Sequence, residues 1–147
     1  MSAQDNLNII TAGFAAVEAH DIERFLSYLD PDFKLQLIIK PMALHQQGSF
    51  NGKDGFRHYL NLLLTSFPDF RLEQIALRAD GDTVYHEMVV RGTHQAALTL
   101  PNGIVVPATH TRVNLPIEAY YTFSPDGRFL SSTGYVNILD VIRQFGA

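Results

Sequence analysis

Phe67-Pro68-Asp69-Phe70-Arg71, Ala79-Asp80-Gly81-Asp82, Arg91-Gly92-Thr93-His94, Leu100-Pro101-Asn102-Gly103 and Ser124-Pro125-Asp126-Gly127 punctuate the second half of the chain. Between these marks apolar residues recur with period two, the signature of strands with one buried face. Asp80-Gly81 supplies the positive φ that a tight hairpin needs, so residues 71–78 and 83–100 read as two strands joined by it. The longer one is expected to bend near Gly92. Pro101-Asn102-Gly103 turns the chain into a third strand over 109–123, and Ser124-Pro125-Asp126-Gly127 turns it into a fourth over 128–136. Strands joined by such short turns must run antiparallel.

The first half has helical spacing instead. Leu7, Ile10, Phe14 and Val17 predict an amphipathic helix over 4–19. Asp21 can cap a short second helix carrying Ile22, Phe25, Leu26 and Leu29, which Pro31 cannot continue. Phe33, Leu35, Leu37 and Ile39 alternate along a further strand. Residues 41–51 read as a loop, and 54–66 as a third helix with Phe56, Tyr59, Leu60 and Leu63 inward. Residues 137–144 read as a short C-terminal helix with Gly146 as its terminator. The expected class is α+β, one domain over residues 1–147: a curved antiparallel sheet wrapped around three N-terminal helices, with a conical cavity between them.

Composition narrows the function classes. The chain has 147 residues, 46% of them hydrophobic, which is enough for a core of its own. A net charge of −4 without a basic stripe argues against nucleic acid as partner. No apolar run is long enough to span a bilayer, and the first residues lack a basic segment followed by an apolar one, so neither membrane nor export is expected. There are no cysteines, which excludes disulfides, zinc thiolates and cysteine nucleophiles and makes a reducing, cytoplasmic location the simplest context. The six histidines, at 20, 45, 58, 86, 94 and 110, show no metal-ligand spacing, so neither metal nor cofactor is expected. No Gly-x-Ser-x-Gly nucleophile turn or phosphate-cradling loop occurs.

The element order resembles the cone-shaped fold named after nuclear transport factor 2, and within it the SnoaL-like polyketide cyclase group. Phe67-Pro68-Asp69 ahead of a strand, Gly81-Asp82 followed by Arg91-Gly92-Thr93-His94, and the terminal Gln144-Phe145-Gly146 carry the resemblance. It covers essentially the whole chain. It implies an acid–base aldol cyclase with an aspartate on the last strand and an assisting histidine on the strand before. Those positions read Gly134 and Tyr120 here, and a related subgroup's aspartate position reads Asn137. Glycine moves no proton, and an amide is no general base.

Several residues remain as candidates. Glu118, Tyr120 and Thr122 share one face of a strand by alternation, and the resemblance implies that this face looks into the cavity, where burial would raise the Glu118 pKa; the alternative is that Glu118 faces a neighbour's arginine or solvent. His86 shares a face with Val84, Met88 and Val90 and reads either as a pocket proton shuttle or as a histidine beside the core or a dimer interface. Glu118, Tyr120 and His86 form the candidate catalytic set. Tyr59, Thr122, Met88, Tyr135 and Asn137 are candidate ligand contacts. His94 is expected to fix backbone near the strand bend. Tyr85, Val89 and Tyr121 alternate away from the proposed pocket face and need cover, which points to a homodimer. The expected partner is a small hydrophobic ligand, and the expected chemistry is cyclisation, isomerisation or dehydration of a small carbonyl or ring compound. A non-catalytic binder and a dimeric scaffold are the alternatives.

Overall fold

Residues 2–40, 47–99, 105–137 and 143–144 are described by the computed structural model. In chain order the elements are α1 (Ala3–Glu18), α2 (Ile22–Leu26), β1 (Leu29–Lys40), β2 (Gln47–Asn51), α3 (Gly52–Ser66), β3 (Arg71–Asp80), β4 (Thr83–Thr93), β5 (Leu98–Thr99), β6 (Val105–Val106), β7 (Arg112–Phe123) and β8 (Phe129–Asn137). Six strands form one sheet in the order β2-β1-β8-β7-β4-β3, and β5 and β6 make a separate two-stranded pair. Among the described residues no helix is long and apolar enough to cross a membrane.

The class is α+β, with one correction to the sheet. β3, β4, β7 and β8 follow one another antiparallel, as the turns require, but β1 lies parallel to β8, so the sheet is mixed. β1 reaches β8 from the first half of the chain, and no tight turn fixes its direction. Residues 47–51, expected as loop, form the edge strand β2 against β1. The strand expected over 83–100 ends at Thr93. There the chain leaves the ladder, and the Gln95 N–H goes to the Ser66 carbonyl at the end of α3. The short helix expected over 137–144 falls mostly outside the described residues; Asn137 itself ends β8, and residues 143 and 144 are helical. The β3–β4 hairpin is closed by Asp80 opposite Thr83, with Gly81 at φ +60° as the first of its two loop residues.

The motifs that carried the resemblance are structural clamps. Asp69 accepts from the Thr93 backbone N–H at 2.7 Å and from its hydroxyl at 2.8 Å. A side chain at Gly92 would place Cβ 3.0 Å from Phe67 Cβ, so glycine lets β4 pass close to the end of α3. His94 is buried beneath Phe67, its Nδ1 3.0 Å from Thr109 Oγ1, which holds the start of the return to β7. His94 thus does fix backbone at the strand end. Gln144 pairs its side-chain amide with the backbone of Asn114 on β7, donating to the carbonyl and accepting from the N–H.

Alternation decides which face of the sheet is covered. Val84, His86, Met88, Val90 and Gly92 are buried on β4, and Val113, Leu115, Ala119, Tyr121 and Phe123 on β7. Helices α1 to α3 cover this inner face through an aromatic cluster. Phe25 of α2 packs on Phe14 of α1 at 5.4 Å, on Phe56 of α3 at 5.1 Å and on Phe129 of β8 at 5.8 Å between ring centroids. Phe33 of β1 meets Phe56 and Phe129, each at 4.9 Å. α1 starts with a capping box between Ser2 and Asp5.

Gly13 is where α1 lets this cluster close. A Cβ there would lie 2.4 Å from Phe25 Cε1, and Phe25 is held on its other sides by Phe56 and Phe129. Alanine normally stabilises a helix interior by about 1 kcal/mol over glycine. Here overpacking outweighs that gain, and Gly13→Ala should destabilise the protein by about 1–3 kcal/mol. Urea unfolding reads the change; an unchanged or raised midpoint contradicts this packing.

Candidate functional site

The inner face carries a row of facing residues across four strands: His86 of β4, Ala119 of β7, Gly134 of β8 and Leu37 of β1. The neighbouring row is Val84, Tyr121, Ser132 and Leu35. His86 is 0% exposed, and its ring lies 5.5 Å from that of Phe14 on α1. Tyr121, diagonal to it across the strands, places its hydroxyl 2.8 Å from His86 Nδ1. Ala119 and Gly134 are the smallest residues of the row. Around the point where a Gly134 Cβ would sit, Leu37 Cδ2 at 3.3 Å is the one atom within 4 Å among the described residues.

This geometry sets the protonation of the imidazole. Burial pushes the His86 pKa down to about 4, so the ring is neutral at pH 7. Burial and the nearby Tyr59 raise the Tyr121 phenol well above its ordinary value, so it keeps its proton. That proton has one acceptor among the described residues, His86 Nδ1. The tautomer assigned from this network has Tyr121 donating to Nδ1 and the imidazole proton on Nε2. Nε2 is buried with no hydrogen-bond partner. The row therefore presents an unused neutral N–H donor, closed off from solvent.

The candidate residues divide between the two faces of the sheet. His86 and Met88 lie on the inner face, both buried. Tyr59 projects from α3 against Phe50 and Phe56; its hydroxyl is desolvated, with the pKa pushed up to about 12. Glu118, Tyr120 and Thr122 occupy the opposite, outer face, which corrects the expectation that they look inward. Glu118 is exposed and stands across from Glu87, Tyr120 is 44% exposed, and Thr122 bonds the Ser131 hydroxyl. Tyr135 and Asn137 share the outer face, Tyr135 edge-on to Tyr120. With Ile75, Glu87 and Glu118 they line a shallow depression of about 230 Å³. Tyr85 and Val89 face outward as expected, but Tyr121 faces inward.

The position counts shift with the faces. Gly134, where the resemblance implies an aspartate, does lie on the inner face. The residue opposite it is Ala119 and not Tyr120. Tyr121, expected on the outward face, is the polar partner of His86.

Residues 10–131 match the SnoaL-like domain. The chain belongs to the SnoaL-like domain family. No curated protein matches it. Among solved structures, this SnoaL-like chain is similar to AclR, a proposed hydroxylase of Streptomyces galilaeus, at 20% identity and a TM-score of 0.75, covering 99% of this chain and 98% of that one. A proposed SnoaL-like polyketide cyclase of Jannaschia sp. CCS1 matches at 16% identity and a TM-score of 0.78, covering 99% and 94%. A protein of Catenulispora acidiphila with a ketosteroid isomerase-like fold, in complex with trimethylamine, matches at 15% identity and a TM-score of 0.70, covering 94% and 92%. At these identities the likeness shows the fold. Among the described residues no group of three or more His, Cys, Asp or Glu could hold a metal ion.

The His86 environment has a pH consequence. An unfolded imidazole titrates near 6.5 and the folded one near 4, so between these values the unfolded state binds a proton that the folded state refuses. Stability is therefore full above about pH 6.5 and falls as pH drops towards 4, by roughly 3 kcal/mol for a shift of this size. His86→Phe should flatten this part of the profile in urea unfolding series between those pH values. Parallel profiles for the two proteins contradict the assignment. Tyr121→Phe, which leaves Nδ1 unpaired, should lower stability by about 1–3 kcal/mol at pH 7.

Proposed function

We propose that a small, largely apolar molecule bearing one acceptor oxygen binds between α1 and the inner sheet face, and that His86 Nε2–H donates to that oxygen. The observation that carries this reading is the buried imidazole whose Nδ1 is occupied by Tyr121 while Nε2 has no partner. Buried polar atoms in native proteins are paired, so an unpaired buried donor is a place where a ligand atom can complete the pairing. Phe14, Met88 and Leu37 give the surroundings an apolar character.

A neutral imidazole acts on a carbonyl as an electrophile. It stabilises negative charge developing on oxygen without transferring a full proton first. That function suits cyclisation, isomerisation or dehydration of a small carbonyl compound, the reaction types expected for a SnoaL-like enzyme. The names of the AclR and Jannaschia structures, a hydroxylase and a polyketide cyclase, are in keeping with an enzymatic role. No Asp or Glu is among the buried polar residues described, so the proton acceptor in such a step would be a group on the substrate. The same observation favours a second reading, a binder without turnover; product formation from a bound ketone separates the two.

The test uses 2-acetylnaphthalene, an apolar ketone with one acceptor oxygen. Titration calorimetry should show binding that His86→Phe weakens about 3- to 10-fold, the share of one neutral hydrogen bond. The carbonyl stretch of the bound ketone should move to lower frequency in the wild type and not in His86→Phe. Binding unaffected by His86→Phe would refute the site.

A further inference from the structure

The outer face of the sheet carries a charge pattern that the single chain does not satisfy. Glu87 of β4 stands directly opposite Glu118 of β7. Like charges facing each other across an antiparallel pair repel. Among the described residues Glu118 makes no hydrogen bond or ion pair, and Glu87 has only the Tyr85 hydroxyl, at 3.5 Å. The adjacent row on the same face holds donors. Tyr85 of β4 stands between Tyr120 of β7 and Arg78 of β3. Desolvation, and then the charges of Glu118 and Glu87, raise the Tyr85 pKa, so the phenol keeps its proton. The Tyr120 hydroxyl and the Arg78 guanidinium make no hydrogen bond or ion pair among the described residues.

Apolar groups flank these rows. Val89 and Pro116 face each other beyond the glutamates, and Tyr135 stands across from Glu118. Ile75, on the rim of the same depression, is 51% exposed. An exposed face with aromatic and aliphatic side chains around a few unpaired charges has the composition of an interface.

The register shows which partner completes the charges. Same-facing residues of a strand recur about every 6.7 Å, so the donor row and the acceptor row are neighbours along β4 and β7. Two copies stacked outer face to outer face are related by a twofold axis lying between the sheets. An axis that crosses the strands midway between the rows lays the donor row of each copy on the acceptor row of the other. Tyr120 then meets Glu118 of the second copy, Tyr85 meets its Glu87, and Arg78 falls beside that same Glu87. The surface is complementary to itself.

We propose that the outer sheet face binds a second copy of this chain in this register, with Tyr85, Tyr120 and Arg78 of each copy serving Glu87 and Glu118 of the other. The facing glutamates, unfavourable in one chain, become what selects the partner and its orientation. The proposal is independent of the reading of His86.

The test is sedimentation of the full chain over a dilution series. The wild type should reach twice the chain mass of 16.5 kDa. Two double variants reverse the two rows: Glu87→Lys with Glu118→Lys, and Arg78→Glu with Tyr120→Glu. Each alone places like charges against its own copy, and its dimer Kd should rise at least about 10-fold. Mixed in equal amounts they should form a heterodimer, because lysines then face the new glutamates while the native rows still match in the other half. Tyr120→Phe, a milder change that keeps the ring, should raise Kd about 10-fold, since the symmetric dimer loses two hydrogen bonds. A wild type that stays monomeric overturns the proposal. So does a row-reversed variant as dimeric as the wild type, or a mixture that does not associate.

Discussion

Five phenylalanines hold the helices to the sheet, and the rest of the molecule is arranged around that contact. Phe14, Phe25 and Phe56 come one from each helix, and Phe33 and Phe129 come from the two strands that run parallel. Edge-to-face and tilted packing at 4.9–5.8 Å is the range in which aromatic rings attract beyond simple area burial. The cluster closes only because Gly13 has no side chain. The ring of Phe14 also lies against His86, so the packing that holds α1 in place is what removes water from the imidazole.

Dryness then determines the chemistry available. A histidine near its ordinary pKa would exchange protons at neutral pH; His86 does not, because its charged form is disfavoured by burial. Tyr121 reinforces this by keeping its own proton and donating it to Nδ1. What remains is a fixed donor with no partner. Hydrogen-bond donation to a developing oxyanion needs no proton exchange and is strongest where water is excluded. The absence of a buried Asp or Glu among the described residues is compatible with this kind of site, whereas a shuttle mechanism would need one.

Most of the architecture was legible because its signals are local. Period-two alternation, Asp-Gly and Pro-Asp-Gly turns, and helical stripes depend on neighbours within a few residues. The parallel pairing of β1 with β8 was not, since the partners lie far apart in the chain and no turn connects them. Five of the eight candidate residues lie on the outer face, and the three on β7 were misplaced for a different reason. The resemblance put Glu118, Tyr120 and Thr122 inside, but β7 itself reads Val113, Leu115, Ile117, Ala119, Tyr121 and Phe123 on one face and Asn114, Pro116, Glu118, Tyr120 and Thr122 on the other. The apolar face belongs in the core, and a one-residue slip exchanges the faces completely. Applied on its own, that alternation would have brought Tyr121 beside His86.

The central claim is that His86 is a neutral imidazole with its proton on Nε2 and Tyr121 donating to Nδ1. Long-range proton–nitrogen correlation spectra of the nitrogen-labelled protein report the state of each ring nitrogen directly. From about pH 5 to 8 the account predicts a protonated, pyrrole-type signal at Nε2 and a bare, pyridine-type signal at Nδ1, neither moving with pH. In Tyr121→Phe the Nδ1 signal should shift, reporting the lost hydrogen bond. A His86 that titrates near 6.5, or one that carries its proton on Nδ1, would contradict it.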